Sequence, residues 1–374
     1  MQGCPVAMRL VLFFTSGISL RTWDTIGSLD REVALYKAIL PKLGDVKFVT
    51  YGDRRDLLYA RQLGGIDVVC NRWNLSKHWY MRLLSQVYPR FWGKDVLVKS
   101  NQIPGSDVAL RAAQNCGKKF IARCGYLPSN IAKTRQDMGP SEIQRAQELE
   151  ETVFRGADRV VVTTPMMRRT VVDSYGVEGS KVRVIPNYVD VKRFKPSSSS
   201  KEPKLLCYVG RLEPEKNVEA LLNAVEGLDI ELHIIGGGSL KDRLTAQAQK
   251  KLLPVRFIGN VPNNELPTYL SNASVFILPS HIEHHPKALI EAMACGLPVI
   301  GTDVYGIREL IEHRQTGYSC DTSPEALREA IADVMADADL RLRLGRNARE
   351  FAVEHFALDK IVDMELSLLE ELIG

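Results

Sequence analysis

The sequence predicts an α/β protein of two domains, and three observations predict it. The chain has 374 residues, more than one ordinary hydrophobic core supports. Short runs of Val, Ile and Leu alternate with stretches of helical periodicity, which is the pattern of βα units with parallel strands. Residues 196–203 read Pro-Ser-Ser-Ser-Ser-Lys-Glu-Pro, a polar, proline-flanked linker of the kind that separates domains.

Composition narrows the class. With 45% hydrophobic and 25% charged residues, and no run near the ~18 apolar residues of a membrane span, the chain reads as a soluble globular enzyme. Its first apolar run follows the single Arg9 and suits a buried strand better than a cleavable leader. Seven cysteines are scattered and never form a Cys-x-x-Cys pair, which argues for reduced thiols and against a zinc site. Net charge is +4, yet residues 1–200 carry 31 Lys and Arg against 18 Asp and Glu (+13). Residues 201–374 carry 18 against 27 (−9). The first half is therefore expected to face an anionic partner: a membrane, a phosphorylated acceptor or nucleic acid.

Each element follows in order. Residues 8–15 read as a buried strand, followed by a loop holding Gly17 and then by Gly27. Helical spacing at Val33, Ala34, Ala38 and Ile39 predicts a helix over 30–40 that ends at Pro41. Short strands are expected at 46–49, 66–69, 96–98 and 119–122, with a helix over 107–116. Residues 71–94 hold Trp73, Trp79, Trp92, Tyr80, Tyr88 and Phe91 interleaved with Arg72, Lys77, Arg82, Arg90 and Lys94. Two readings fit this stretch. It is a core helix with aromatics inward, or a surface that rests in a lipid interface.

A Glu-rich helix over 141–155 and a strand over 157–162 close the first half. Beyond the linker a strand at 205–209 runs into Gly210, Arg211 and Lys216, and a strand at 232–235 runs into Gly236-Gly237-Gly238. That glycine turn has no ordered Gly-x-Gly-x-x-Gly, so it is not a dinucleotide fingerprint. It lets a ligand approach the backbone closely. Residues 255–261 form another strand, ending Gly259-Asn260-Val261, and 324–335 and 339–371 are helical.

Residues 280–301, SHIEHHPKALIEAMACGLPVIG, organise the rest. They follow the strand 275–278, present Glu283, His284, His285, Pro286 and Lys287, and enter a helix at Ala288 and Leu289 that stops at Gly296. Glu283 and Glu291 stand eight positions apart. Ligands of parallel sheets bind where strand C-termini meet helix N-termini.

This pattern resembles the E-x7-E motif of retaining GT-B glycosyltransferases of the family 4 (group 1) type, a large group that includes sucrose synthases and phosphatidylinositol mannosyltransferases. The trailing Glu291-Ala292-Met293-Ala294-x-Gly296-x-Pro298-Val299 matches as well. The resemblance implies two Rossmann-like domains facing across a cleft. Residues 1–196 form the acceptor side, with about 355–374 crossing back to it, and 203–354 bind the donor.

By the same resemblance the donor is a nucleotide-diphosphate sugar. Arg211 and Lys216 bind its diphosphate, and with Glu283 they make the catalytic set. Glu291 binds ribose hydroxyls and Glu283 hydroxyls of the sugar. Gly210, Gly237, Gly259, Asn260, Val261, His284, His285, Pro286, Lys287, Ala288 and Leu289 complete the donor site. Gly17, Gly27, Arg123 and Tyr126 lie on the acceptor side. This sequence departs from relatives in four places: it lacks their Gly-Gly pair near Gly17, has Arg123 and Tyr126 where many have a His, has Tyr188 for a glycine, and reads Glu-His-His-Pro-Lys for Glu-Gly-Phe-Gly. Arg123 fits either a phosphate contact or a structural salt bridge.

The expected function is transfer of a sugar to an acceptor hydroxyl, lipid-linked or phosphorylated, in cell-envelope glycan or glycolipid synthesis. No metal-binding cluster is read among the donor-site residues, so no metal or cofactor is expected. The expected location is the cytoplasm, with the inner face of the membrane as a further possibility. Three alternatives stand beside this: a 2-epimerase or phosphorylase-like enzyme, a nucleotide-sugar-binding protein without turnover, and a nucleic-acid-binding protein using the basic half.

Overall fold

The computed structural model describes residues 8–93, 95–134, 138–197 and 202–373. Cys4, Lys94, Gly374 and the middle of the linker, 198–201, lie outside the described residues. By contacts the chain divides into two units. One comprises Met1–Thr25, Glu32–Pro186 and Ile361–Gly374, the other Ile26–Arg31 and Asn187–Lys360.

The first unit is built on seven parallel strands: β1 (Met8–Phe13), β2 (Gly44–Val49), β3 (Asp67–Val69), β4 (Val96–Ser100), β5 (Lys119–Cys124), β6 (Arg159–Val162) and β7 (Val182–Val184). Their order is β3-β2-β1-β4-β5-β6-β7. The strand runs are apolar almost throughout because helices cover both faces of a parallel sheet; Leu10, Val11, Leu12 and Phe13 of β1 are fully buried. Asp56, itself buried, accepts hydrogen bonds from the backbone N–H of Leu20 (3.2 Å) and Arg21 (3.3 Å), so it caps the helix Leu20–Thr25. The C-terminal residues join this unit through Glu365, whose Oε2 lies 2.5 Å from Lys99 Nζ of β4. Both side chains are buried.

The second unit has six parallel strands: β8 (Leu205–Val209), β9 (Glu231–Ile235), β10 (Val255–Gly259), β11 (Val275–Leu278), β12 (Val299–Thr302) and β13 (Tyr318–Cys320), in the order β10-β9-β8-β11-β12-β13. The chain moves outward from β8 to β10, then returns beside β8 and moves the other way. The switch point thus falls between β8 and β11, where open α/β sheets hold ligands beyond the strand C-termini. The helix Lys287–Ala294 ends in a Schellman turn. Gly296 N–H donates to Met293 O (2.9 Å) and Leu297 N–H to Ala292 O (3.2 Å). Gly296 sits at φ +69°, and a Cβ there would lie 3.0 Å from Pro196.

Several expectations are corrected. The helix expected to end at Pro41 runs Leu29–Leu43 with Pro41 inside it. A proline this near a C-terminus costs only one ladder bond before the helix ends. The segment 339–371 is two helices, Ala338–Phe356 and Leu358–Ile373. Ala357 between them adopts extended backbone, and Val189 N–H donates to Phe356 O while Leu358 N–H donates to Val189 O. The contact boundary falls after Pro186, ahead of the linker, because Val189 and Phe194 pack into the second core. Residues 71–94 are not one helix but Lys77–Arg82, a π-turn Leu83–Val87 and a 3-10 turn Tyr88–Phe91.

Candidate functional site

Four loops of the second unit follow the C-terminal ends of neighbouring strands. After β8, Gly210 N–H donates to Ile235 O (3.0 Å) and Leu212 N–H to Gly237 O (2.9 Å), which lays this loop against the glycine turn after β9. Only glycine fits there. A Cβ on Gly236 would lie 2.0 Å from Gly210 O, and one on Gly238 2.5 Å from Leu212 O. Gly237 stands beside Asn260, with 3.3 Å between its notional Cβ and the Asn260 side chain.

The loop after β8 continues to Lys216 and Asn217. Asn217 takes φ +54° and donates through Nδ2 to Pro279 O (3.0 Å) and Thr322 O (2.9 Å), which ties this loop to the end of β11. Lys216 Nζ then reaches Glu283 Oε1 at 2.5 Å, and Ser280 Oγ donates to the same oxygen at 2.8 Å. Both partners of the ion pair are largely shielded from solvent. Arg211 behaves differently. Its side chain is 63% exposed and pairs with Glu215 at 2.7 Å, so the structure does not bring it onto Glu283.

Glu291 lies in the second turn of the helix Lys287–Ala294 and is buried. Its Oε1 accepts from Asn263 Nδ2 (2.8 Å) and from Arg31 Nη1 (3.2 Å). Arg31 belongs to Ile26–Arg31, the short stretch that contacts place in the second unit. Gly27 lies there as well, and not with the acceptor-side residues among which the sequence put it. A Cβ on Gly27 would lie 2.2 Å from Val261 O, and Asn263 N–H donates to Gly27 O at 2.8 Å. Gly259, at φ +86°, has open space around its notional Cβ.

The two histidines are buried. His285 is held by Asn187, whose N–H donates to its Nδ1 (3.3 Å) and whose Nδ2 donates to its carbonyl (2.7 Å). Its ring meets Phe356 edge to face. His284 packs against Tyr305 in the same manner. Burial, then the nearby Lys216 charge, lowers its pKa from 6.5 to about 4, so it is neutral near pH 7. Gly306 is indispensable to this corner, since a Cβ would lie 2.1 Å from His284 O and 2.8 Å from Glu283 O. The helix beginning at Lys287 has Pro286 as its N-cap and no side-chain cap. Its first N–H groups and its dipole therefore favour an anion. Leu289 is buried in the core, which leaves only its backbone to serve a ligand.

Gly17, Arg123 and Tyr126 lie in the first unit. Gly17 takes φ +81° just past β1. Arg123 is a buried residue of β5, with its N–H donating to Ser100 Oγ (3.2 Å), and Tyr126 follows the strand, its carbonyl accepting from Cys124 Sγ (3.1 Å). Arg31, Asn263, Asn187, Ser280 and Gly306 were missed by the sequence reading. Ser280 opens the motif at 280–301 and Asn187 lies in the family-like run Val184-Ile185-Pro186-Asn187-Tyr188, whereas nothing local marks Arg31, Asn263 or Gly306. No cluster of three or more metal-ligating side chains occurs among the described residues.

Two family models match this chain. Glycosyl transferases group 1 covers residues 190–351 and Glycosyltransferase Family 4 covers residues 40–193. The chain belongs to the group 1, family 4 glycosyltransferases. A glycogen synthase of Mycobacterium tuberculosis is 30% identical over 223 residues, 57% of this chain and 54% of that protein. A D-inositol 3-phosphate glycosyltransferase of Paenarthrobacter aurescens is 28% identical over 254 residues, 62% of each chain. The chain thus spans a little over half the length of these relatives. In fold it is similar to Anabaena HepE, solved with UDP and glucose. The TM-score is 0.79 at 18% identity, with 98% of this chain and 100% of that one covered. Two parallel-sheet Rossmann-like domains of the GT-B type are what this family membership leads one to expect, and they are what the two units are.

Proposed function

We propose that this glycosyltransferase transfers a sugar from a nucleotide-diphosphate sugar to an acceptor hydroxyl with retention of anomeric configuration. The observation that carries the reading is the Lys216–Glu283 pair at the β8/β11 switch point, beside a helix N-terminus with no side-chain cap. Charge grows on the diphosphate as the glycosidic bond breaks. A fixed ammonium and a helix dipole favour that charge without rearranging. Lys216 spends one of its three donors on Glu283 and keeps the others for phosphate oxygens. Arg211, exposed and paired with Glu215, closes onto the diphosphate by leaving that partner.

Glu291 takes the ribose hydroxyls. A carboxylate offers about four acceptor sites, so Asn263 and Arg31 leave room for two O–H groups. The glycine turn and residues 259–261 present backbone to the nucleotide. In the transfer itself the acceptor oxygen bonds to the anomeric carbon on the face the diphosphate leaves. The carbon–oxygen bond to phosphate breaks, and the acceptor proton passes to the departing phosphate oxygen. That HepE was solved with UDP and glucose supports a nucleoside-diphosphate donor, and the basic first half supports a lipid-linked or phosphorylated acceptor. No metal takes part in this scheme.

The test is metal-free incubation with a panel of nucleotide-sugars, with proton NMR of the released or transferred sugar. Retention in the first product formed, undiminished by chelator, is expected. An inverted product, or activity that a chelator abolishes, would sink the scheme.

A further inference from the structure

The first unit holds a cavity of about 580 Å³, within the range that small-ligand sites occupy. None of the residues proposed for the donor lines it. Its walls are mainly apolar, with Leu57 from the 3-10 helix Arg54–Leu63, Val68 from the sheet-edge strand β3, and Tyr80 and Leu84 from the aromatic segment. Arg72, Trp73 and the Lys47–Asp67 ion pair also line it. Around it the surface is unusual in two respects.

Large hydrophobic side chains that stand exposed are concentrated here: Leu58 (79%), Trp73 (65%), Trp79 (57%) and Val87 (41%). Charge is one-sided as well. Residues 54–93 contain Arg54, Arg55, Arg61, Arg72, Lys77, Arg82 and Arg90, against only Asp56 and Asp67. Asp56 is buried, Asp67 is paired with Lys47, and Asp53, just ahead of this stretch, is paired with Arg55, which leaves Arg54, Arg61, Arg72, Lys77, Arg82 and Arg90 as the excess of positive charge. Arg82 lies over the Trp79 ring, 5.6 Å from its centroid. The two readings left open by the sequence are thus divided between residues: Tyr80 and Leu84 are buried, while Trp73 and Trp79 face outward.

We propose that this face lies on an anionic lipid bilayer and that the cavity takes one acyl chain of an anionic lipid. Exposed Trp beside Arg and Lys is the chemistry of the headgroup boundary, where rings sit among the first methylenes and cations meet phosphate. Each cation near an anionic surface adds about 1 kcal/mol, and a neutral protein partner would give them no counter-charge. The apolar walls supply what a chain needs and a sugar does not.

The test uses the full chain in two arms. In flotation with vesicles, binding is expected with mixed phosphatidylcholine and phosphatidylglycerol and not with phosphatidylcholine alone. The exposed double variant Trp73→Ala/Trp79→Ala should bind the mixed vesicles about tenfold more weakly or worse, with its melting temperature unchanged. In the second arm, a fluorescent polyene fatty acid should bind at one saturable site and be displaced by oleate. Ala60→Trp, which fills the cavity from its exposed rim, should abolish that binding. Failure to float on the mixed vesicles, or equal flotation by the Trp variant, overturns the bilayer contact. Absence of a saturable fatty-acid site, or its survival in Ala60→Trp, overturns the acyl site. Donor binding should be the same in all three proteins, so failure here is separable from failure of the donor site.

Discussion

Lys216 Nζ lies 2.5 Å from Glu283 Oε1, and the two residues come from loops that follow adjacent parallel strands, β8 and β11. The pair therefore reports directly on the switch point. Breaking a shielded pair by removing one partner leaves an uncompensated charge. Lys216→Met should lower stability by about 3 kcal/mol, and Lys216→Met/Glu283→Leu should regain most of it in chemical denaturation. Turnover should stay depressed about a hundredfold or more in both variants, because the diphosphate loses its fixed cation. Recovery of turnover with stability would show the pair to be structural only.

Glu291 gives a cleaner separation of binding from folding. Glu291→Gln keeps an acceptor for Asn263 Nδ2 and should fold normally. Hydrogen bonds to a charged group contribute about 1.5–3 kcal/mol, so donor affinity should fall by roughly 10- to 100-fold. Titration calorimetry with the preferred nucleotide-sugar checks it.

His284 sets a pH dependence. Its pKa is lowered to about 4 in the folded protein, by burial first and Lys216 second, against 6.5 unfolded. Between those values the unfolded chain binds more protons, so stability rises with pH. The contribution is complete above pH 6.5 and is lost as pH falls toward 4, on the order of 3 kcal/mol in total. Urea denaturation across this window should show the slope in wild type, and His284→Phe should flatten it.

The Lys99–Glu365 pair binds the C-terminal helix to β4 in the first unit. Burial lowers the Lys99 pKa, against the opposing attraction of Glu365. Lys99→Met should cost about 3–5 kcal/mol, whereas Lys99→Met/Glu365→Leu should lie within about 1 kcal/mol of wild type or above it. Melting curves of the two variants check this.

What the sequence made legible follows from how local the signal was. Val275-Phe276-Ile277-Leu278 is buried on both faces, so its apolar run announced a parallel strand unaided. Gly296 announced the helix end because its φ of +69° needs a glycine there. The break at Ala357 had no such mark. Alanine is a good helix former, and the break depends on Val189, far away in the chain. The same holds at Glu291: Arg31 stands 260 positions away, and no periodicity points to it. Gly27 was read by its neighbours in sequence, whereas its contacts are with Val261. In the aromatic segment, Trp79 and Tyr80 are adjacent and similar, yet one is exposed and one buried. A helix interrupted by a π-turn defeats the spacing from which faces are read.

The most direct measurement is binding of UDP-, GDP- and ADP-sugars to the metal-free protein, wild type against Glu291→Ala, by titration calorimetry. The account predicts saturable binding of one nucleotide-sugar and a loss of at least about tenfold in the variant. Binding of none, or equal binding by both proteins, would contradict a donor site built on the β8/β11 switch point.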